Sequence, residues 1–111
     1  MIKRELRAEA RIAVSQRGVL NSGESEWFPC LALDVSDHGF LILCTKTLSV
    51  GQVLQFRCEL FPQKTLDCKI EIRHVGDSGI GTKISEIDNA GTGLLQSYLQ
   101  EQYSTKLDKA G

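Results

Sequence analysis

Residues 52–75 read QVLQFRCELFPQKTLDCKIEIRHV, and apolar and polar side chains alternate along most of this stretch. The apolar series is Leu54, Phe56, Cys58 and Leu60, followed by Leu66, Cys68, Ile70 and Ile72. Period-two alternation of this length is typical of half-buried antiparallel strands. Phe61-Pro62-Gln63-Lys64 supplies turn-forming residues between the two halves. The stretch therefore predicts a β-hairpin with strands at 52–61 and 64–75.

Shorter strands are predicted on both sides of this hairpin. They cover residues 11–19, 28–35, 39–45 and 79–85, with turn-forming Gly, Ser, Asn and Asp residues between most of them. Six short strands at this spacing indicate a small barrel or sandwich, and a closed barrel also removes the exposed strand edges of so small a sheet. We therefore expect an all-β fold, a six-stranded antiparallel β-barrel over residues 12–85.

The C-terminal part changes from a period of two to a helical period. Leu94, Leu95, Tyr98 and Leu99 recur at helical spacing, and Asp88 is a suitable N-cap residue. The pattern predicts a C-terminal helix over 88–106. Its leucine face is expected to pack either on the barrel or against a partner.

Length and composition predict one globular domain over residues 1–111. The chain has a mass of 12.3 kDa, with 41% hydrophobic and 24% charged residues. Its apolar runs are far shorter than the roughly 20 residues of a membrane helix, so no membrane insertion is expected. The N-terminus has no apolar segment of a secretory signal, so we expect a cytoplasmic location.

The four cysteines occur singly, without the close pairs of structural zinc sites, at positions Cys30, Cys44, Cys58 and Cys68. Each lies in an apolar or alternating stretch. We therefore expect them to fill the core as small apolar side chains rather than to form disulfides or bind a metal.

Charge is distributed unevenly along the chain. Residues 1–17 contain five basic and two acidic side chains, whereas the whole chain has a net charge of −1. A basic arm at 1–11 on a mildly acidic body suits a small anion better than DNA, whose binding usually needs a wider positive face. A solvated basic tail is the alternative explanation of the same charges.

Two short motifs contain the candidate binding residues. Arg7 and Arg11 form an Arg-x-x-x-Arg motif before the first strand, and their guanidinium groups match phosphate oxygens or the O6/N7 edge of guanine. Asp34, Ser36 and Gly39 form an Asp-x-Ser-x-x-Gly motif between the second and third strands. Together the two motifs indicate a receptor for a guanine-containing phosphate ester.

Each residue of the second motif could contribute to ligand binding in its own way. The Asp34 carboxylate can accept hydrogen bonds from the N1 and N2 groups of guanine, and Ser36 can donate to a phosphate or accept from a base amine. Gly39 would let a ligand approach the backbone or would adopt a positive φ. The alternative is an ordinary Asx or Ser turn at the end of a hairpin.

The sequence resembles the PilZ domains, which bind cyclic di-GMP in bacteria. The resemblance rests on the five residues of the two motifs and covers about residues 4–100. Glu5, Leu48-Ser49-Val50-Gly51-Gln52 and Gly79-Ile80-Gly81 support it. It implies a six-stranded barrel with a C-terminal helix.

The resemblance also implies how cyclic di-GMP would bind. Arg7 and Arg11 would lie on a flexible arm that folds over the ligand, while Asp34, Ser36 and Gly39 hold a guanine on the barrel surface. Arg4, Leu6, Arg73 and Lys83 are the expected supporting residues. Leu6 lacks the guanidinium plane on which a second ligand molecule could stack, so one ligand per site is expected. No cofactor is expected.

The expected function is a non-enzymatic receptor that signals to a partner protein in trans, in the control of motility, adhesion or exopolysaccharide. The pathway is implied by the resemblance alone. No catalytic arrangement can be built around His38, for which turn exposure is expected, or around His74, expected on a strand near the barrel rim. The alternative is an adaptor that binds no nucleotide and docks through Leu94, Leu95 and Leu99 or through a barrel edge. A monomer or weak homodimer is expected.

Overall fold

The computed structural model describes residues 11–23 and 26–110, and in this part of the chain six β-strands precede one long α-helix. The elements are β1 (Ile12–Asn21), β2 (Phe28–Val35), β3 (Phe40–Leu43), β4 (Val53–Phe61), β5 (Lys64–Gly76), β6 (Gly79–Glu86) and α1 (Asn89–Ala110).

The strands form a closed antiparallel barrel in the order β1-β2-β3-β6-β5-β4. The predicted hairpin is present, with Leu54 opposite Ile70 and Phe56 opposite Cys68. Pairing of β1 with β4, with Leu20 opposite Phe56, closes the sheet. Closure satisfies the backbone hydrogen bonds that an open sheet of this size would leave at its edges.

The predicted inward residues form the core. All eight apolar residues named in the 52–75 stretch are buried, and the Phe40 and Phe56 rings lie 4.7 Å apart between centroids. Burial of these side chains is the main stabilising contribution to so small a domain. The alternation in the sequence therefore corresponds to the inside and outside of the barrel.

Helix α1 packs its apolar face on the barrel. Leu95 and Tyr98 are buried in the common core, and Leu94 and Leu99 pack against that core while half-buried. Asp88 caps the helix, since its carboxylate accepts a hydrogen bond from the Gly91 N–H at 2.7 Å. Of the two predicted positions for the leucine face, on the barrel or against a partner, the structure shows the first.

Several boundaries differ from the predicted ones. Strand β3 is shorter than 39–45 because the chain turns after Leu43, where the Cys44 thiol donates to the Lys46 carbonyl. Strand β1 extends to Asn21, which pairs with Gln55. Helix α1 continues past 106 to Ala110, beyond the last apolar position of the predicted face, because backbone hydrogen bonding continues through residues of good helix propensity.

The cysteines are free thiols, and Cys30, Cys58 and Cys68 are buried as predicted, while Cys44 is half-buried. Burial raises the pKa of Cys30 and Cys68 to about 12, and that of Cys58 to about 11. Neighbouring thiols and carboxylates add to these shifts. Within the described residues, no group of three His, Cys, Asp or Glu side chains could hold a metal ion.

Within residues 11–23 and 26–110, no helix is both long enough and apolar enough to cross a membrane.

Candidate functional site

The second motif forms the end of β2 and the turn into β3. The Ser36 N–H donates to the Gly39 carbonyl at 3.0 Å, and the Ser36 hydroxyl accepts from the His38 N–H at 3.2 Å. This is the Ser turn that was the alternative explanation of the motif. The turn leaves Asp37 and His38 exposed, which confirms the prediction for His38.

The turn is fixed to the neighbouring strand β6. The Ile84 N–H donates to the His38 carbonyl at 2.7 Å. The Thr82 hydroxyl donates to the Phe40 carbonyl at 3.0 Å and accepts from the Phe40 N–H at 3.2 Å. These bonds hold the residues after Asp34 in one geometry, so the carboxylate projects from a rigid support. Thr82 was not singled out from the sequence, because its role depends on the pairing of β3 with β6.

The backbone of Gly39 rules out one of the two alternatives predicted for it. Its φ is not positive, unlike that of Gly23, Gly51 and Gly79, so the prediction of a positive φ is wrong. Gly39 is buried, and a Cβ built there would overlap the Thr82 carbonyl oxygen. The glycine is required because two backbones approach closely at this point.

Asp34 faces the outside of the barrel because of a β-bulge. Strict alternation from the inward Cys30 and Ala32 would turn Asp34 inward as well. A register shift between Ala32 and Asp34 makes Asp34 pair with the outward Leu41, while Val35 faces inward beside Phe40. Bulges of this kind re-aim a side chain, and here the bulge exposes the carboxylate.

The Asp34 carboxylate forms an ion pair with Arg11, the second arginine of the first motif. The Arg11 Nη1 donates to Asp34 Oδ1 at 3.2 Å, and the two side chains are 61% and 21% exposed. The pair joins residues 23 positions apart in the sequence. The structure thus brings together one residue from each predicted motif.

The other predicted residues lie at different positions. Arg7, Arg4 and Leu6 lie outside the described residues. Lys83, with Asp37 and His38 of the turn, lines a surface cleft of about 220 Å³ between β6 and α1. Arg73 is exposed on the bulge of β5 between Ile72 and His74.

The fold and the site define a small closed β-barrel with a rigid polar turn and an arginine paired with the carboxylate beside it. A family model described as the PilZ domain matches residues 5–101. The chain belongs to the PilZ domain family. Domains of this family are ligand-binding and adaptor modules, typically cyclic di-GMP receptors.

Two solved structures show the same fold. A Bacillus subtilis protein described as inhibitor of motility (MotI/DgrA) has a TM-score of 0.68 and 16% identity, over 85% of this chain and 50% of that chain. The PilZ domain of CeSA from a cellulose-synthesizing bacterium has a TM-score of 0.60 and 20% identity, over 88% of this chain and 99% of that chain. This chain therefore spans half the length of the motility inhibitor. No curated protein sequence gives a significant match.

Proposed function

We propose that this domain is a receptor for cyclic di-GMP. The observation that supports it most directly is the Arg11–Asp34 ion pair at the end of β2. It places a guanidinium group and a carboxylate, the two groups that recognise phosphate and the N1/N2 edge of guanine, within 3.2 Å of each other. Membership of the PilZ family supports the same ligand.

Ligand binding would exchange the partners of this pair. In the free domain Arg11 and Asp34 neutralise each other, and exposed pairs of this kind contribute only about 0–1 kcal/mol. A guanine would donate hydrogen bonds to the Asp34 carboxylate. Arg11 would then donate to a phosphate or to the O6/N7 edge of the base. Because the original pair is weak, breaking it costs little compared with the charge-assisted bonds that replace it.

The two other motif residues would contribute in different ways. The Ser36 hydroxyl already accepts the His38 N–H, and its Oγ lies 3.5 Å from the Gly39 carbonyl oxygen, at the limit of a hydrogen bond. The hydroxyl proton is free to reorient toward a phosphate or a base. Gly39 would act indirectly, through the close contact with β6 that fixes the turn.

Signalling would depend on closure of the basic arm over the ligand. Arg7, with Arg4 and Leu6 beside it, would close over the ligand as the basic arm, with one ligand molecule per site, and Lys83 and Arg73 would add positive charge. The domain would act without catalysis, in the cytoplasm, as a monomer or weak homodimer. A partner protein in motility, adhesion or exopolysaccharide control would recognise the ligand-bound surface.

The alternative function is an adaptor that binds no nucleotide. The structure leaves it less of the surface through which it was expected to dock. Leu95 is buried, and Leu94 and Leu99 pack against the core, so this face of α1 is used within the domain. The barrel is closed, so each described strand is paired on both sides over part of its length. An adaptor would have to dock on what these contacts leave exposed.

The test is calorimetric titration of cyclic di-GMP into the wild type and the Arg7→Ala/Arg11→Ala variant, with GTP as the control ligand. Asp34→Asn tests the carboxylate. Its matched control is Asp67→Asn, because Asp67 also accepts from an arginine, Arg57, at 3.0 Å on the barrel surface. Arg57→Ala is the corresponding control for the arginine change.

We expect saturable binding of about one ligand per chain to the wild type, no comparable binding of GTP, and a loss of about tenfold or more for Asp34→Asn. The controls at Asp67 and Arg57 should keep wild-type affinity. No binding by the wild type at high ligand concentration, or equal losses in the site and control variants, would reject the proposal.

A further inference from the structure

Strands β2 and β3 carry apolar side chains on both of their faces. In β2 the core residues Cys30 and Ala32 alternate with Leu31 and Leu33, which point outward and are half-buried. Strand β3 has the same pattern, and its outward Leu43 is 42% exposed. Nearly continuous apolar runs are typical of strands that are covered on both faces. The two strands therefore have the composition of a covered sheet.

The outer leucine patch, formed by Leu31, Leu33 and Leu43, has no such cover in the part of the chain that the structure describes. Helix α1 packs mainly on β5, β4 and β1. Leu31 and Leu33 are not among the half-buried side chains that pack against the core. Val19 and Pro29, a register pair closer to the start of β2, extend the patch along the strands. A continuous apolar surface of this kind often marks an interaction site.

The outer face on β4 and β5, across the barrel from β2, has a different composition. Its outward residues are mostly charged and form ion pairs, Arg57 with Asp67 at 3.0 Å and Lys69 with Glu86 of β6 at 3.6 Å. Charged side chains are typical of a sheet face that is exposed to water. The outward leucines are therefore a property of the β2–β3 side rather than of the whole barrel.

The border of the outer leucine patch is basic. Arg17 is exposed on β1 and is the register partner of Leu31. Lys46 lies near the start of β2, with its Nζ 5.1 Å from the centroid of the Phe28 ring. The one acidic residue of β1, β2 and β3 is Asp34, which already pairs with an arginine. A partner that covers the leucines therefore needs acidic side chains around its apolar contact.

The pairing of β2 determines which kind of element can cover the patch. At Leu31, β2 pairs with β1 on one side and with β3 on the other, so its backbone has no free edge for an added strand there. A partner must contact the side chains instead. Three neighbouring strands span about 10 Å, which is close to the diameter of one α-helix. An amphipathic helix lying on the sheet therefore fits this surface.

A second copy of this chain would be a poor occupant. In a two-fold contact the same patch faces itself, so the basic border with Arg17 and Lys46 would face an equally basic border. Like charges that meet across an interface weaken binding. Helix α1 of a second copy has its apolar face packed on its own barrel. We therefore expect the covering helix to come from a different protein.

We infer that the outer leucine patch is a docking surface for an amphipathic helix of a partner protein, with acidic residues at the border of the helix's apolar face. The inference goes beyond the proposed function, because the patch contains no residue of the two motifs and docking needs no nucleotide. A receptor would use this surface to hold its partner, and an adaptor would use it in the same way.

The test uses two synthetic peptides of about 18 residues, a length sufficient to form a helix. Both have leucines along one face. One peptide has glutamates at the borders of that face, and the other has lysines at the same positions. Each peptide carries a fluorescent label and is titrated with the full chain, in the absence of cyclic di-GMP, while fluorescence anisotropy is measured.

Two variants change the patch and its border, and each has a matched control. Leu43→Ser removes an apolar contact, and its control is Val53→Ser, because Val53 is 49% exposed on the outside of β4. Arg17→Glu reverses a border charge, and its control is Lys69→Glu, because Lys69 is exposed on β5. Thermal unfolding curves confirm that each variant is folded.

We expect the wild type to bind the glutamate peptide with a Kd below about 1 mM and the lysine peptide at least about fivefold more weakly. Leu43→Ser should weaken binding of the glutamate peptide about fivefold or more. Arg17→Glu should weaken it similarly and should improve binding of the lysine peptide. The two controls should stay within about twofold of wild type.

Binding of neither peptide, no preference between them, or equal losses in the test and control variants would overturn the inference. Sedimentation of the wild type tests the other occupant: a dimer that Leu43→Ser dissociates would place a second copy on the patch and would also overturn it. Should Leu43→Ser not fold, Arg17→Glu alone decides. Because the titrations contain no nucleotide, failure here leaves the receptor function standing.

Discussion

The backbone of Gly39 lies against the Thr82 carbonyl so closely that no side chain can be placed between them. Gly39 is thus the point where the turn contacts β6. This contact explains how a short, exposed turn can hold Asp34 and Ser36 in a fixed geometry.

Gly39→Ala should destabilise the domain, because the added methyl group would overlap backbone rather than a movable side chain. We expect a loss of about 2–3 kcal/mol or more in the free energy of unfolding, measured by urea denaturation. Gly93→Ala is the control and should stabilise the helix by up to about 1 kcal/mol. Wild-type stability of Gly39→Ala would contradict the backbone contact. If Gly39→Ala also loses ligand binding, the loss would indicate a distorted turn, because the added methyl group overlaps the backbone that fixes it.

Arg11→Ala and Asp34→Asn should leave stability nearly unchanged, in contrast to the change at Gly39. The ion pair is exposed, so we expect each variant to unfold within about 1 kcal/mol of wild type. The measurement is urea denaturation at moderate salt. A much larger loss in either variant would mean that the pair is structural, and binding losses at these positions would need a different explanation.

Tyr98 should be the main residue that fixes α1 to the barrel. It is buried, its ring packs edge-on against Phe61 at 5.7 Å between centroids, and its hydroxyl accepts from Gln16 at 3.2 Å. We expect Tyr98→Ala to cost about 3–5 kcal/mol and Tyr98→Phe about 1 kcal/mol, the latter for the lost partner of Gln16.

The control for Tyr98 is Tyr103→Ala on the same helix. Tyr103 is 43% exposed, so its truncation should change the free energy of unfolding by no more than about 0.5 kcal/mol. Equal effects at the two tyrosines would show that α1 is not anchored through Tyr98.

The buried thiols should make stability depend on alkaline pH. Burial raises the pKa of Cys30 and Cys68 to about 12 and that of Cys58 to about 11, against 9.0 without the protein environment. As the pH rises, the thiols of the unfolded chain therefore lose their protons before those of the folded chain. The contribution of the buried thiols to the free energy of unfolding is complete below pH 9 and declines as the pH rises toward 11–12.

Urea unfolding under reducing conditions, at pH values from about 8 to about 10, measures this decline. Cys68→Ala should show a smaller decline than wild type, because it removes one of the three buried thiols. A flat profile in the wild type would contradict the burial of the three thiols.

The sequence alone predicted most of the fold because the relevant patterns are local. The alternation of apolar and polar residues between 52 and 75 indicates which side of each strand is buried. The spacing of Leu95 and Tyr98 indicates the buried face of the helix. The two motifs also identified Arg11 and Asp34 as candidates, and the structure places them in contact.

The tertiary structure decided what depends on strand neighbours. Alternation by itself turns Asp34 and His74 inward, and only the bulges at Leu33 and Arg73 turn them outward. A bulge is a difference in register between two strands, so one strand's sequence does not show it. The tertiary structure likewise revealed why position 39 must be glycine, because the clashing Thr82 carbonyl belongs to a strand more than 40 residues away, brought close only by closure of the barrel.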